Sequence, residues 1–335
     1  MGRMHKYIFS IVVFGIILLL NEQVKAFPGK PIEEISKTEK TPENGWSEEF
    51  DVVEIASHPD GYVHKAYFYP SRSETPKPLV VSLHTWSGDY RQSDPIANLS
   101  LAKDLNYIHP DFRGPNRTKN ACCSCLALQD IDEAITYAIE NGNVDKDEIY
   151  VIGESGGGYA TLSCFMKSKH AIKKFSAWVP ISNLVAWYNE NIIRNESYAD
   201  DILGCTQSEN EILNERVARE KSPLFWETPV EKLANTELHI HAGVYDGLQG
   251  SVPITHSINF YNKVLSDLGV QDASKYVSDK EKLHLLEHRS ALGEFGMIGD
   301  REVFLQKEHG NLKLIIFKGR HEMLSEYAFN KLLED

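Results

Sequence analysis

The sequence predicts an α/β domain: a mostly parallel sheet with helices on both faces. Two observations predict it. From residue 79 onward, short apolar runs of strand length alternate with segments of helical periodicity, and these runs are apolar enough to be buried on both faces. The 335 residues also suffice for one large domain with insertions.

Residues 1–26 stand apart. Arg3 and Lys6 precede a nearly unbroken apolar run from Ile8 to Leu20, and Val24-Lys25-Ala26 has the small-residue character of a cleavage site. A signal peptide is expected, because the run falls short of the roughly 20 residues that a membrane-crossing helix needs. Export, to the periplasm or outside the cell, and no stable membrane insertion after cleavage follow as expectations. Residues 27–49, rich in Lys, Glu, Pro and Thr, read as an extended leader without a core.

The folded domain is expected over 50–335. Asp51 to Ile55 and Tyr62 to Tyr69 read as opening strands, Leu79-Val80-Val81-Ser82-Leu83 as a buried strand, and Tyr107 to Pro110 as a short one. Leu128 to Glu140 is a helix with Ile131, Ala134, Ile135 and Ala138 on one face, ended by Asn141-Gly142-Asn143. A strand over Glu148 to Ile152 leads through a glycine-rich turn to a helix over about Ser155 to Lys167. Phe175 to Pro180, Glu237 to Ala242 and Leu312 to Phe317 are further buried strands, and Ile254 to Leu265 and Glu322 to Leu333 are helices. Two intervals break this rhythm, about 183–235 and about 269–311, and each is too long for a bare loop. The first, with Trp187, Tyr188, Tyr198, Leu224, Phe225 and Trp226, is expected to be a helical cap over the active site, and the second a further insertion.

Gly153-Glu154-Ser155-Gly156-Gly157 carries the strongest chemical signal, because it lies between an apolar strand and a helix. A serine at such a turn is lifted above the sheet, and the helix N-terminus behind it faces the developing oxyanion. Its hydroxyl needs a base, and the base needs a carboxylate to orient it. In the α/β-hydrolase order both follow the serine, each after a later strand. Asp246 stands just past the strand ending near Ala242, and His321 just past the one ending at Phe317. Other candidates sit less well. His239 and His241 alternate within a strand, His284, His288, Asp272 and Asp300 fall in the second insertion, His109 precedes a proline, and Asp267 follows a helix. Ser155, Asp246 and His321 are thus the predicted triad. The predicted oxyanion donors are the N–H of Gly156 and that of Trp86 or Thr85 in the turn after the strand at 79–83.

From about Leu79 to Leu333 the chain resembles the catalytic domain of the prolyl-oligopeptidase group of α/β-hydrolases. The resemblance rests on Asp111-Phe112-Arg113-Gly114, Asp130-Ile131-Asp132-Glu133-Ala134-Ile135, Val144-Asp145 with Ile149, Ser222-Pro223-Leu224, Asp246 with Val252-Pro253, and Gly319-Arg320-His321-Glu322. It implies the same triad. It also implies a large N-terminal β-propeller in a typical peptidase of the group, for which the fewer than 80 residues before the first core strand leave no room. The turn Thr85-Trp86-Ser87-Gly88 departs from the glycine-rich peptidase form, and propeller-free members are similar to exported carboxylesterases, including those that deacylate carbohydrates.

The expected function is therefore hydrolysis of carboxylic esters, small-molecule or glycan, through an acyl-enzyme, with Trp86, Trp187 and Trp226 either stacking on a sugar ring or filling the cap's own core. A prolyl-oligopeptidase-like peptidase or amidase is the alternative, and a non-catalytic binding protein on a hydrolase scaffold the third reading. No metal or organic cofactor is called for. The formal net charge of −13, which becomes −15 once three positive and one negative residue leave with the signal peptide, argues against a nucleic-acid partner. Of five cysteines, Cys122, Cys123 and Cys125 crowd together without the spaced partner pair of a zinc site. A bridge from this cluster to Cys205 is conceivable in an exported protein, and Asn98, Asn116 and Asn195 each begin an N-x-Ser/Thr pattern.

Overall fold

Ten strands order themselves β1-β2-β4-β3-β5-β6-β7-β10-β9-β8 in a computed structural model that describes residues 45–334. They are β1 (Asp51–Ala56), β2 (Val63–Tyr69), β3 (Lys77–Leu83), β4 (Asn106–Pro110), β5 (Val144–Glu154), β6 (Lys174–Trp178), β7 (Glu237–Gly243), β8 (Met297–Ile298), β9 (Arg301–His309) and β10 (Leu312–Phe317). The run from β4 to β10 is parallel, and antiparallel strands flank it at both edges. The expected signal peptide lies outside the described residues. Among those residues, no helix is long and apolar enough to cross a membrane.

Side chains alternate across the sheet and divide the core in two. Ile149 and Val151 of β5 join one cluster, while Tyr150 and Ile152 join the other. The first lies under α2 (Cys125–Asn141), α3 (Gly156–Lys167) and α7 (Thr255–Asp267), and the second under α1 (Pro95–Ala102) and α9 (Ser325–Leu333). Helix α1 escaped the sequence reading, although Asp94-Pro95 is a start signal: the Asp94 side chain accepts from Ile96 N at 2.9 Å and proline occupies the first turn.

Two expected boundaries move. Trp46, placed in the leader by composition, is buried and stacks on Tyr67 with ring centroids 4.0 Å apart. One large aromatic surface outweighs the polar residues around it. The second insertion is also shorter than 269–311. It contributes a 3₁₀ turn at Ala273–Lys275 and α8 (Asp279–Glu287), but β8 and β9 belong to the sheet. Charged flanks disguise the buried core of β9, Val303-Phe304-Leu305, because an edge strand needs few apolar residues.

Between β6 and β7, the expected cap holds α4 (Leu184–Arg194), α5 (Tyr198–Cys205), α6 (Glu215–Glu220) and two 3₁₀ turns. Asn183 caps α4, accepting from Val185 N and Ala186 N. A disulfide joins Cys122, just before α2, to Cys205 at the end of α5, with Cα atoms 6.1 Å apart. Cys123 and Cys164 are buried thiols and Cys125 an exposed one. Asn116 is also buried and hydrogen-bonded, so of the three N-x-Ser/Thr patterns only those at Asn98 and Asn195 begin on exposed residues.

Just past β4, burial pushes the Asp111 carboxyl up to about 6. The folded chain therefore holds this proton more tightly than the unfolded chain, whose carboxyl titrates near 3.9. That contribution is fully present below about pH 4 and is lost as the pH rises through 6. Asp111→Asn is expected to gain stability over the parent at pH 8, by on the order of 2 kcal/mol more than at pH 4. Urea titrations at both pH values check this, and a pH-independent difference contradicts it.

Candidate active site

Strand β5 delivers Gly153-Glu154-Ser155 to the N-terminus of α3, and the turn is strained at Ser155, whose φ is 58° and ψ −115°. The Ser155 N–H donates to Trp178 O at 2.9 Å, which holds the turn against the end of β6. A Cβ on Gly157 would fall under 3.0 Å from Leu83 O, and one on Gly156 would fall 2.8 Å from the Thr85 carbonyl carbon and closer still to Trp86 N. Both positions need glycine because α3 starts against the end of β3. The Ser155 hydroxyl makes no hydrogen bond to a described residue.

Adjacent strands bring the acid and the histidine together. Gly243 of β7 pairs with Phe317 of β10, and the chain past each strand stays in contact through Val244 N to Phe317 O and Tyr245 N to Gly319 O. Asp246 is buried, and its Oδ2 lies 2.8 Å from His321 Nδ1. Its Oδ1 accepts from Gly247 N and Val252 N, both at 2.9 Å, so the carboxylate is held on the side away from the imidazole. Burial raises the Glu154 carboxyl, while the Coulombic pull of His321 and the Met323 backbone act against that rise.

Of the two candidate donors facing Gly156, the structure leaves one free. Thr85 N donates to Gln92 Oε1 at 3.0 Å, so it points away from the site. Trp86 N lies against Gly156 and has no partner among the described residues. The Trp86 peptide is fixed from its other side, where its carbonyl accepts from Asn116 N at 2.8 Å, and its indole N–H donates to Asp201 Oδ2 of α5 at 3.0 Å. The Trp86 N–H therefore lies close to the start of α3, next to Gly156.

Residues 126–291 match the model of the prolyl oligopeptidase family. That stretch, just under half of the chain, is similar to the prolyl oligopeptidase family, and the fold is of the α/β-hydrolase type. This fold is shared with the Pyrococcus horikoshii acylaminoacyl peptidase (TM-score 0.56, 17% identity, covering 85% of this chain and 40% of that one). A Mycobacterium tuberculosis puromycin-hydrolyzing peptidase (TM-score 0.54, 14% identity, 84% of this chain and 38% of that one) and prolyl oligopeptidase B from Galerina marginata (TM-score 0.50, 14% identity, 65% and 32%) are also similar. This chain spans about two-fifths of the length of the first of them. No curated protein matches it by sequence.

Two expected substrate contacts lie elsewhere in the hydrolase domain. Trp187 is fully buried, donates its indole N–H to Ser251 O at 2.9 Å and meets Trp86 edge to face, so it fills the cap's own core. Trp226 lies under Lys167 at the last residue of α3, roughly 16 Å along the helix from its first. Trp86 is itself buried, so neither it nor Trp187 offers an open ring face to a sugar. Arg194 of α4, which the sequence reading passed over, donates to Gly250 O at 2.9 Å and Ser251 O at 2.7 Å and so clamps the loop that follows Asp246.

Because the hydrolase turn has no room at 157, Gly157→Ala is expected to cost about 3 kcal/mol or more. A thermal melt checks this, and an unchanged midpoint contradicts it.

Proposed function

We propose that this chain is a serine hydrolase that works through an acyl-enzyme, and that peptide or other amide bonds are its substrates. The observation that carries the reading is the Asp246 to His321 hydrogen bond, together with a strained Ser155 at the start of a helix against which the Trp86 N–H lies. Ser155 Oγ attacks the carbonyl while His321 Nε2 takes its proton, and the oxyanion forms against the N–H groups of Gly156 and Trp86. Asp246 stays ionised, fixing the ring with Nδ1 protonated and balancing the imidazolium. His321 then returns the proton to the leaving amine as the C–N bond breaks, and a water molecule releases the acyl group by the same steps.

The match to the prolyl oligopeptidase family, and the peptidases that share the fold, support an amide substrate. Ester cleavage at the same site is the second reading. It is favoured by the oxyanion turn Thr85-Trp86-Ser87-Gly88, which departs from the glycine-rich peptidase form. Carbohydrate esters lose their particular support with the burial of Trp187 and the remoteness of Trp226. Export to an oxidising compartment is part of the proposal, supported by the Cys122 to Cys205 disulfide.

Ser155→Ala and His321→Ala are expected to lower kcat/KM by about 10³-fold or more, and Asp246→Asn by a comparable factor at neutral pH. Aminoacyl arylamides and short-chain aryl esters assayed in parallel read this out. Ser155-dependent amide turnover supports the peptidase, ester turnover alone supports the second reading, and losses under tenfold contradict both.

A further inference from the structure

We propose that His64, Asp130 and Glu133 form a binding site for one divalent metal ion of the zinc type, which ties the β1–β2 hairpin to α2. One ligand atom from each of the three residues lies within 4.8 Å of the others, and all three residues are buried. Asp130 and Glu133 are three apart on α2 and so share a face of the helix, while His64 opposes them from β2.

The cluster is unfinished in a way that points to a ligand. His64 is 1% exposed, yet neither of its ring nitrogens has a hydrogen-bond partner. Glu133 Oε2 is also buried and unpartnered. Native folds pair nearly all such groups, so two unpaired groups facing one small space call for something that both can bind. A cation fits. Asp130 shares the Arg113 guanidinium with Asp60, and Glu133 has only the His58 imidazole opposite it, so negative charge remains beside His64.

The outer side of the cluster is already built. Glu133 Oε1 accepts from His58 N at 3.1 Å and from Gln129 Nε2 at 3.0 Å, and His58 Nδ1 lies 2.9 Å away. Asp130 accepts from Ser57 Oγ at 2.7 Å and from Arg113 Nε at 2.7 Å and Nη2 at 3.0 Å. Partners of this kind orient ligating carboxylates. One imidazole nitrogen with carboxylate oxygens suits zinc better than calcium, which takes six to eight oxygens. Zinc with bonds of about 2.0–2.2 Å would draw its donors to about 3.4 Å apart, a small contraction from the present spacing, and water completes four-coordination.

The place of the cluster assigns its role. Strand β2 runs antiparallel to β4, so His64 lies at the edge of the sheet where β3 and β5 end, but three strands, about 14 Å, from β5. An ion there is too far to touch the reacting acyl group. It would instead pin the hairpin, and through Arg113 the loop that carries Asp111 and Asn116.

The test uses the full, untagged chain stripped with a chelator and titrated with Zn²⁺ alone, reading bound metal by mass spectrometry, affinity by calorimetry and the thermal midpoint. One equivalent should bind with at least micromolar affinity and raise the midpoint by about 3 °C or more at saturating metal. His64→Ala and Glu133→Gln should each weaken binding at least tenfold and abolish the shift. Failure of the stripped parent to take up stoichiometric zinc overturns the proposal, as does equal binding by both variants. If His64→Ala does not fold, the parent's stoichiometry and the nearly isosteric Glu133→Gln decide the matter.

Discussion

Helix α3 begins so close to the end of β3 that no side chain fits at Gly156 or Gly157, and much of the site's geometry depends on this contact. It forces Ser155 into a left-handed backbone conformation at the crest of the turn. It also lays Trp86 N beside Gly156, so the proposed nucleophile and the proposed donors are set by one approach of helix to strand. Preorganisation of this kind needs no further ordering when a substrate arrives.

A second set of contacts holds the contact's surroundings from outside the sheet. Asp201 of α5 takes the Trp86 indole, Asn116 takes the Trp86 carbonyl, and the disulfide fastens α5 to the loop in which Asn116 lies. Arg194 of α4 does the same for the loop past Asp246. The segment between β6 and β7 thus braces both the turn at Trp86 and the loop past Asp246.

The parts of the site legible in the sequence are those governed by strand ends. Ser155, Asp246 and His321 each follow an apolar run, and the parallel order of β5, β7 and β10 brings such positions to one edge of the sheet. Choices made by side-chain partners were not legible. Nothing local distinguishes Thr85 from Trp86 as a donor until Gln92 is seen to occupy the Thr85 N–H. Trp187 and Trp226 stayed open between burial and binding, because composition marks an aromatic residue for either without saying which. Strand β9 was hidden by its charged flanks, and Trp46 by its polar neighbours. The grouping of His64 with Asp130 and Glu133 was invisible for a different reason, since a hairpin and a helix far apart in sequence supply its donors.

The central claim is that the fold activates one serine and no other. Treating the native chain with a fluorophosphonate, followed by intact-mass measurement and peptide mapping, tests it most directly. A single adduct on Ser155 that disappears when the chain is unfolded before treatment is the predicted result. No adduct on the native chain, or an adduct on any other residue, would contradict the account.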